Sequence, residues 1–263
     1  MKRLIYLIAV SIGLLTSCTK EELVENTVYE KVAPGDPKYS YFKILNVSAG
    51  SPIVNYYVDG TKSSALYSTT GVESGYGYNG IFPDLGYAVA NPGTRNLGAR
   101  LTSAATPIAD RGLEVFNAPF NFGAGKYYTV LLAGVYNTTA KKIESSLVLE
   151  DIRPALDTSK IYVRFANLYN GGPGLTISQA YKGVSQTVAT NVTFGKASDW
   201  VSINSPGQPN IYTVTNATTG AVVFTSPVAG VTLTKGRAYT LYLRGVQGNA
   251  TYPASFTFYT TFY

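Results

Sequence analysis

The chain has 263 residues, of which 45% are hydrophobic and 14% charged, and its formal net charge is +6. It contains one Cys and no His, so Ser-His and Cys-His catalysis, imidazole metal ligands, an internal disulfide and multi-Cys metal sites are excluded within this chain. The 22 Tyr and 26 Gly, together with abundant Thr and Val, predict an all-β protein.

The N-terminal residues carry an export pattern. A basic start, Met1 to Arg3, precedes an apolar run from Leu4 to Leu15 that is too short to span a bilayer. A Leu-Thr-Ser tripeptide then precedes Cys18, and this pattern resembles the lipobox of bacterial lipoproteins. The resemblance implies that residues 1–17 are a lipoprotein signal peptide and that Cys18 is acylated, which would anchor the chain to a membrane.

Residues 18–38 are predicted to be the lipidated Cys and a flexible tether, because they are polar and contain Pro34 and Pro37. The Lys20-Glu21-Glu22 tripeptide resembles the export signal of Bacteroidetes surface lipoproteins. That resemblance implies attachment to the outer membrane with the protein facing the cell exterior, and the periplasmic face is the alternative.

Two segments of the chain recur in the same order. Tyr41–Asn46 matches Tyr162–Asn167, and Gly125–Val135 matches Gly236–Val246. The conserved order and spacing predict two tandem copies of one domain.

The first recurring segment has the period of a strand. Phe42 and Ile44 alternate with Lys43, and the second copy places Arg164 at the position of Lys43. This period of two predicts a half-buried strand, with Lys43 and Arg164 on the face opposite the apolar residues.

Short strands between Gly, Pro and Asn turns, in units of about 110 residues, predict β-sandwich domains. The predicted fold is two tandem immunoglobulin-like or transthyretin-like β-sandwiches at residues 39–153 and 158–263. The junction is predicted at Arg153–Asp157, where Pro154 and its polar neighbours interrupt the strand pattern.

Three segments of the first copy carry a family resemblance. A strand ends in Asn at Phe42–Asn46, another ends in Asp-Gly at Tyr56–Gly60, and a Gly-Lys-Tyr-Tyr-Thr-Val strand covers Gly125–Val130. Together they resemble the family called domain of unknown function 4397, although the second copy has Lys182-Gly183 in place of Asp-Gly. The resemblance implies a secreted or surface β-sandwich and no particular activity.

The residues predict no catalytic site, no cofactor and no nucleic acid partner. The basic residues are dispersed, whereas DNA binding needs a concentrated stripe of positive charge. A carboxylate pair for glycan hydrolysis and a loop-bound calcium ion stay open as alternatives. The acids considered for the carboxylate pair are Asp59, Glu73, Asp84, Asp110, Glu114 and Asp199.

Aromatic side chains are the candidates for ligand binding. Tyr76 and Tyr78 lie in a Gly-rich stretch predicted to be a loop, and Asp199-Trp200 lies in the roughly matching region of the second copy. Rings on loops can stack on sugars or form hot spots for protein partners. The alternatives are that Trp200 is a core or edge residue and that Tyr76 and Tyr78 flank an exposed strand.

The sequence thus predicts a lipid-anchored cell-envelope protein that is a non-catalytic binding or adhesion module. Its predicted ligand is an extracellular glycan or an envelope protein. One alternative is a structural subunit of a surface assembly, either fimbrillin-like or an accessory of an outer-membrane complex. A second alternative is a glycan-active hydrolase. The C-terminal segment from Ser255 is predicted to be the last strand, with Phe256 and Phe258 on one face.

Overall fold

The computed structural model of the protein describes residues 32–105, 107–155, 157–203, 209–227 and 229–262. These ranges contain β-strands and a short 3₁₀ helix at Ile108–Asp110, and no α-helix. Within them, no helix has the length and apolar character needed to cross a membrane. The predicted signal peptide, Cys18 and the first part of the predicted tether lie outside the described residues.

The strands fall into two groups, which are called the first half and the second half. The first half contains β1 (Ser40–Asn46), β2 (Val54–Val58), β3 (Thr61–Lys62), β4 (Ile81–Phe82), β5 (Ala88–Ala90), β6 (Gly93–Leu101), β7 (Glu114–Phe122), β8 (Tyr127–Asn137) and β9 (Lys142–Glu150). The second half contains β10 (Ile161–Asn170), β11 (Leu175–Tyr181), β12 (Val184–Val192), β13 (Val201–Ile203), β14 (Ile211–Asn216), β15 (Val222–Thr225), β16 (Ala238–Val246) and β17 (Ser255–Phe262).

Each half is a sandwich of two sheets with the same strand order. The sheets of the first half run β4-β1-β8-β9, with β5 also paired to β1, and β3-β2-β6-β7. Those of the second half run β13-β10-β16-β17 and β12-β11-β14-β15. The all-β sandwich prediction is therefore confirmed. The order differs from that of an immunoglobulin domain, which keeps its first two strands in one sheet.

The recurring sequence segments form the same parallel pair of strands in both halves. β1 pairs with β8 from Tyr41 opposite Tyr127, and β10 pairs with β16 from Tyr162 opposite Ala238. These four positions correspond in the sequence repeat. The repeated segments therefore pair in the same register in both halves.

The turn after the second strand is also the same in both halves. Asp59 and Gly60 have φ values of +47° and +79°, and Lys182 and Gly183 have +47° and +78°. Two consecutive positive φ values are typical of the type I′ turn of a two-residue hairpin, and Gly adopts the second one without strain. Lys182 therefore replaces Asp59 without changing the turn.

Each half has its own core, and a third core lies between the halves. Phe42 and Val130 belong to the first core, and Phe165 and Leu241 to the second. The third core joins β1, β8, β10 and β16 through a set of buried side chains that includes Leu45, Leu131, Ala166 and Tyr242. Residues Pro37–Tyr263 accordingly form one compact unit. The bounds of the two domains stay a prediction.

The third core corrects the prediction that β1 and β10 are half-buried. Lys43 is 0% exposed and Arg164 is 4% exposed. The faces that carry them point away from the cores of their own sandwiches, but the two sheets pack against each other through these faces. Apolar and polar side chains do alternate along both strands, but the polar face is covered by the other half.

Candidate functional site

Tyr76 lies in the core of the first half. It is 8% exposed, and its ring is 5.4 Å from that of Tyr56 and 5.5 Å from that of Phe82. Its backbone exchanges hydrogen bonds of 2.8 and 3.0 Å with Val54, which holds the ring toward the core. Tyr76 is therefore a core residue rather than a ring displayed on a binding loop, because Tyr56 and Phe82 pack against it.

Tyr78 contacts the second half. Its ring meets Tyr252 edge to face at 5.4 Å, and the guanidinium of Arg244 lies 4.7 Å from its centroid. Its hydroxyl is buried and has no hydrogen-bond partner among the described residues. The Tyr78 ring therefore packs between the two halves, and the structure does not bring it into one site with Trp200.

Asp199 and Trp200 lie where the edge strand beside β10 is interrupted. Ala197 bridges to Ala166, and β13 resumes the pairing at Val201. The first half has the same interruption, because β4 and β5 both pair with β1 and Tyr87 lies between them. Trp200 thus corresponds to Tyr87 rather than to the region of Tyr76 and Tyr78.

Both interruptions place a ring over a buried cation. Trp200 lies 4.7 Å from the Arg164 guanidinium, and Tyr87 lies 4.9 Å from the Lys43 ammonium. The ring of Phe262 contacts both, with centroid distances of 6.5 Å to Trp200 and 6.0 Å to Tyr87. Stacking on an aromatic face stabilises a cation that burial has removed from water.

Asp151 is the anion of this buried cluster. It is 2% exposed and accepts hydrogen bonds from the Tyr87 hydroxyl at 2.9 Å, from the Thr129 hydroxyl at 2.6 Å, and from Nη2 of Arg164. Arg164 also donates from Nε to Thr240 at 2.9 Å and from Nη1 to the Glu150 carbonyl at 3.3 Å. The carboxylate and the guanidinium are therefore well satisfied.

Lys43 has fewer polar contacts than Arg164. Its Nζ is buried and has no hydrogen-bond partner among the described residues. Burial lowers the pKa of Lys43 to about 8, although the charges of Asp151 and Asp84 act in the opposite direction. Burial is the largest influence on Arg164 and acts to lower its pKa, but the charges of Asp151 and Tyr259 and the hydrogen bonds to them together raise it. Burial, and then the charge of Asp151, raise the pKa of Tyr87.

A groove of about 310 Å³ opens beside this cluster, and it is called the Trp200 groove. One wall belongs to the first half and the other to the second, and Arg164 lies between them. The lining residues are Val148, Leu149, Glu150, Ile152, Arg164, Gly195, Lys196, Ala197, Ser198, Asp199 and Trp200. A Cβ at Gly195 would come within 2.9 Å of the Leu147 side chain, so glycine permits this close approach of the walls.

The groove combines apolar surface with a few polar groups. Val148 is 43% and Ile152 is 68% exposed, and Asp199 is exposed next to the partly buried Trp200. Glu150 is paired with Lys126 at 2.9 Å, on the surface. This composition, at the lower end of the usual size range for pockets, suits a small ligand.

Most of the six acids considered for a carboxylate pair are engaged in ion pairs outside the groove. Four of them form ion pairs with basic side chains: Asp59 with Arg95, Glu73 with Lys62, Asp110 with Lys141, and Glu114 with Arg100. Over the described ranges, no group of three or more Asp, Glu or Cys side chains has the arrangement of a metal site.

Sequence reasoning missed Tyr87, Thr129 and Asp151. The repeat offered a signal for Thr129, since it matches Thr240 just as Lys43 matches Arg164. It offered none for Asp151, which follows β9 and gains its role only when the second half brings Arg164 to it.

No protein-family model and no curated protein matches the chain. Solved structures show a weak likeness. A candidate cell adhesion protein from Bacteroides uniformis is 12% identical over 84% of this chain and 96% of that chain, with a TM-score of 0.22. A second candidate cell adhesion protein, from Bacteroides eggerthii, is 11% identical over 85% of this chain and 96% of that chain, with a TM-score of 0.21. A leucine-rich repeat protein from Bacteroides thetaiotaomicron is 12% identical over 77% of this chain and 26% of that chain, with a TM-score of 0.20. TM-scores this low carry no argument about this chain.

Proposed function

We propose that the protein is a lipid-anchored cell-envelope protein that binds an extracellular glycan, without catalysis, in the Trp200 groove. The anchor rests on the lipobox resemblance at Cys18, and the outer-membrane location on the Lys20-Glu21-Glu22 tripeptide. The resemblance of Phe42–Asn46 to domain of unknown function 4397 supports a surface β-sandwich and adds no activity. The observation that carries the binding role is the groove itself.

The chemistry of the groove supports a sugar ligand. A pyranose ring has apolar C–H faces and hydroxyl edges, so it needs flat or aliphatic surface and a few hydrogen-bonding groups. The flat and aliphatic surface comes from Trp200, Val148 and Ile152. The hydrogen-bonding groups come from Asp199 and Lys196. The two loop charges have opposite sign, which favours a neutral sugar over a strongly charged one.

The experiment is a glycan array probed with the full-length chain in a non-ionic detergent. Trp200→Ala and Asp199→Asn are expected to lower the affinity at least tenfold, as is typical for a central aromatic anchor and its polar neighbour. Tyr67→Ala is the matched control, because Tyr67 is an exposed ring (54%) outside the groove.

Thermal unfolding should accompany each variant, because Trp200→Ala also uncovers Arg164. Glycan binding that survives Trp200→Ala and Asp199→Asn in folded protein would remove the groove as its site. A folded protein that binds no glycan would overturn the proposal and direct attention to an envelope protein as the ligand.

A further inference from the structure

Corresponding strands close one edge of the sheets that face each other. β9 ends the β4-β1-β8-β9 sheet, and β17 ends the β13-β10-β16-β17 sheet. Within the described residues, β9 pairs only with β8 and β17 only with β16. The outer side of each strand therefore presents backbone groups to which a further strand could pair, in β17 over its partly exposed first half, Ser255–Phe258, since Tyr259, Thr261 and Phe262 farther along are buried.

The two edge strands differ in the features that oppose pairing with a further strand. β9 carries Lys142, Glu144 and Glu150, and charged side chains on an edge oppose association with another strand. β17 has the sequence Ser-Phe-Thr-Phe-Tyr-Thr-Thr-Phe, which contains no charge, no Pro and no Gly. Aromatic and β-branched residues without charge are typical of segments that pair between chains.

Other long edges are blunted in other ways. β7 contains Glu114 and Pro119, and Pro cannot complete a ladder of hydrogen bonds. β12 is also uncharged, but its pairing with β11 shifts register between Leu175 and Ile177 and again between Ile177 and Ser178. β17 keeps a regular register with β16 from Ser255 to Thr260, and only its last residues shift.

We propose that β17 is a self-association edge, at which β17 of a second copy of this chain pairs in antiparallel orientation about a two-fold axis. The pairing would join two four-stranded sheets into one continuous sheet. This inference is independent of the glycan proposal, since β17 does not line the Trp200 groove.

The absence of charge on β17 suits a second copy of this chain as the partner. An uncharged strand can pair with itself without placing like charges opposite each other, whereas a charged strand would find no complement on β17. Phe258, which is 38% exposed, lies on this edge and would be covered by the pairing. A single strand pair buries less surface than a standard interface, so association in roughly the micromolar range is expected.

The test is sedimentation of the full-length chain carrying Cys18→Ser, which removes the predicted acylation, in a non-ionic detergent. A reversible dimer is expected, and Phe258→Lys should raise its dissociation constant at least tenfold. Val184→Lys is the matched control, because Val184 is exposed (72%) on the other uncharged edge, β12.

A second measurement covers the case in which Phe258→Lys fails to fold. In the Cys18→Ser background, Thr257→Cys should be linked into dimers by a short bis-maleimide, and Val184→Cys should not. A chain that is monomeric at all concentrations would overturn the inference. So would a dimer lost through Val184→Lys and kept in folded Phe258→Lys, because the contact would then lie at β12.

Discussion

The two halves bury a cation at the same position of their first strand, and they treat it differently. Arg164 makes hydrogen bonds to Asp151, Thr240 and the Glu150 carbonyl. Lys43 has the ring of Tyr87 beside it and no hydrogen-bond partner among the described residues. Two repeated segments can therefore place a charge at equivalent positions, while the fold provides hydrogen-bond partners for only one of the two charges.

The asymmetry has a local cause. The N–H of Asp151 donates to the Tyr127 carbonyl, and Phe262 lies opposite Ala238, the residue that matches Tyr127. The second half therefore has an aromatic ring where the first half has a carboxylate. The planar guanidinium of Arg164 reaches Asp151 of the first half, and its geometry suits a carboxylate. Lys43 has no equivalent acid in the second half, because Phe262 occupies that position.

The largest expected effect comes from removing each cation in turn. Arg164→Met should destabilise the protein by roughly 3–5 kcal/mol, because it leaves the carboxylate of Asp151 buried without its counter-charge. Lys43→Met should change stability by less than about 1 kcal/mol, or increase it, because the lost ammonium had no hydrogen bond to lose. Urea unfolding followed by circular dichroism measures both. Equal costs for the two variants would show that the halves are equivalent after all.

A smaller effect should appear in the pH dependence of stability. The pKa of Lys43 is about 8 in the folded chain against 10.5 for the ordinary side chain. Between these values the unfolded chain binds more protons than the folded chain, so the free energy of unfolding should rise with pH. The gain from pH 7.5 to 9.5 should be roughly 1–2 kcal/mol.

Above about pH 10 the trend should reverse, because buried tyrosines such as Tyr56 and Tyr87 have raised pKa values and the unfolded chain loses those protons first. Lys43→Met should abolish the rise, and Lys142→Met, which changes an exposed Lys on β9, should keep it. Stability that is flat or falling between pH 7.5 and 9.5 in the unmodified chain would contradict the lowered pKa.

The smallest effect should separate two matched threonines. Thr129 donates to the charged Asp151 at 2.6 Å and accepts from the Tyr259 hydroxyl, whereas Thr240 accepts from Nε of Arg164. Thr129→Val should cost about 2–3 kcal/mol and Thr240→Val about 1–2 kcal/mol, since both hydroxyls bond a charged group but the bond to the Asp151 carboxylate is the shorter, 2.6 Å against 2.9 Å. Thermal unfolding of the two nearly isosteric variants measures the difference. A larger cost at Thr240 would place the more important polar contact on the side of Arg164.

The candidate site could be predicted only in part. Asp199 and Trp200, which the sequence singles out, line the groove because the interruption that carries them projects from an edge strand, and their binding of a ligand stays a prediction. Tyr76 and Tyr78 could not be placed, since a Gly-rich stretch does not reveal that it will pair with β2 or pack on the second half. Asp151 carried no local signal, and its partner Arg164 is brought to it by the packing of the two halves.

The sequence by itself determined the recurring strands and the hairpin turns. Each of these depends on contacts within a few residues or on the alternation of side chains along one strand. Only the tertiary structure decided what happens to the outward faces of β1 and β10. Alternation identifies two faces but cannot say whether water or another sheet covers the polar one, and here the other sheet makes Lys43 and Arg164 interior residues.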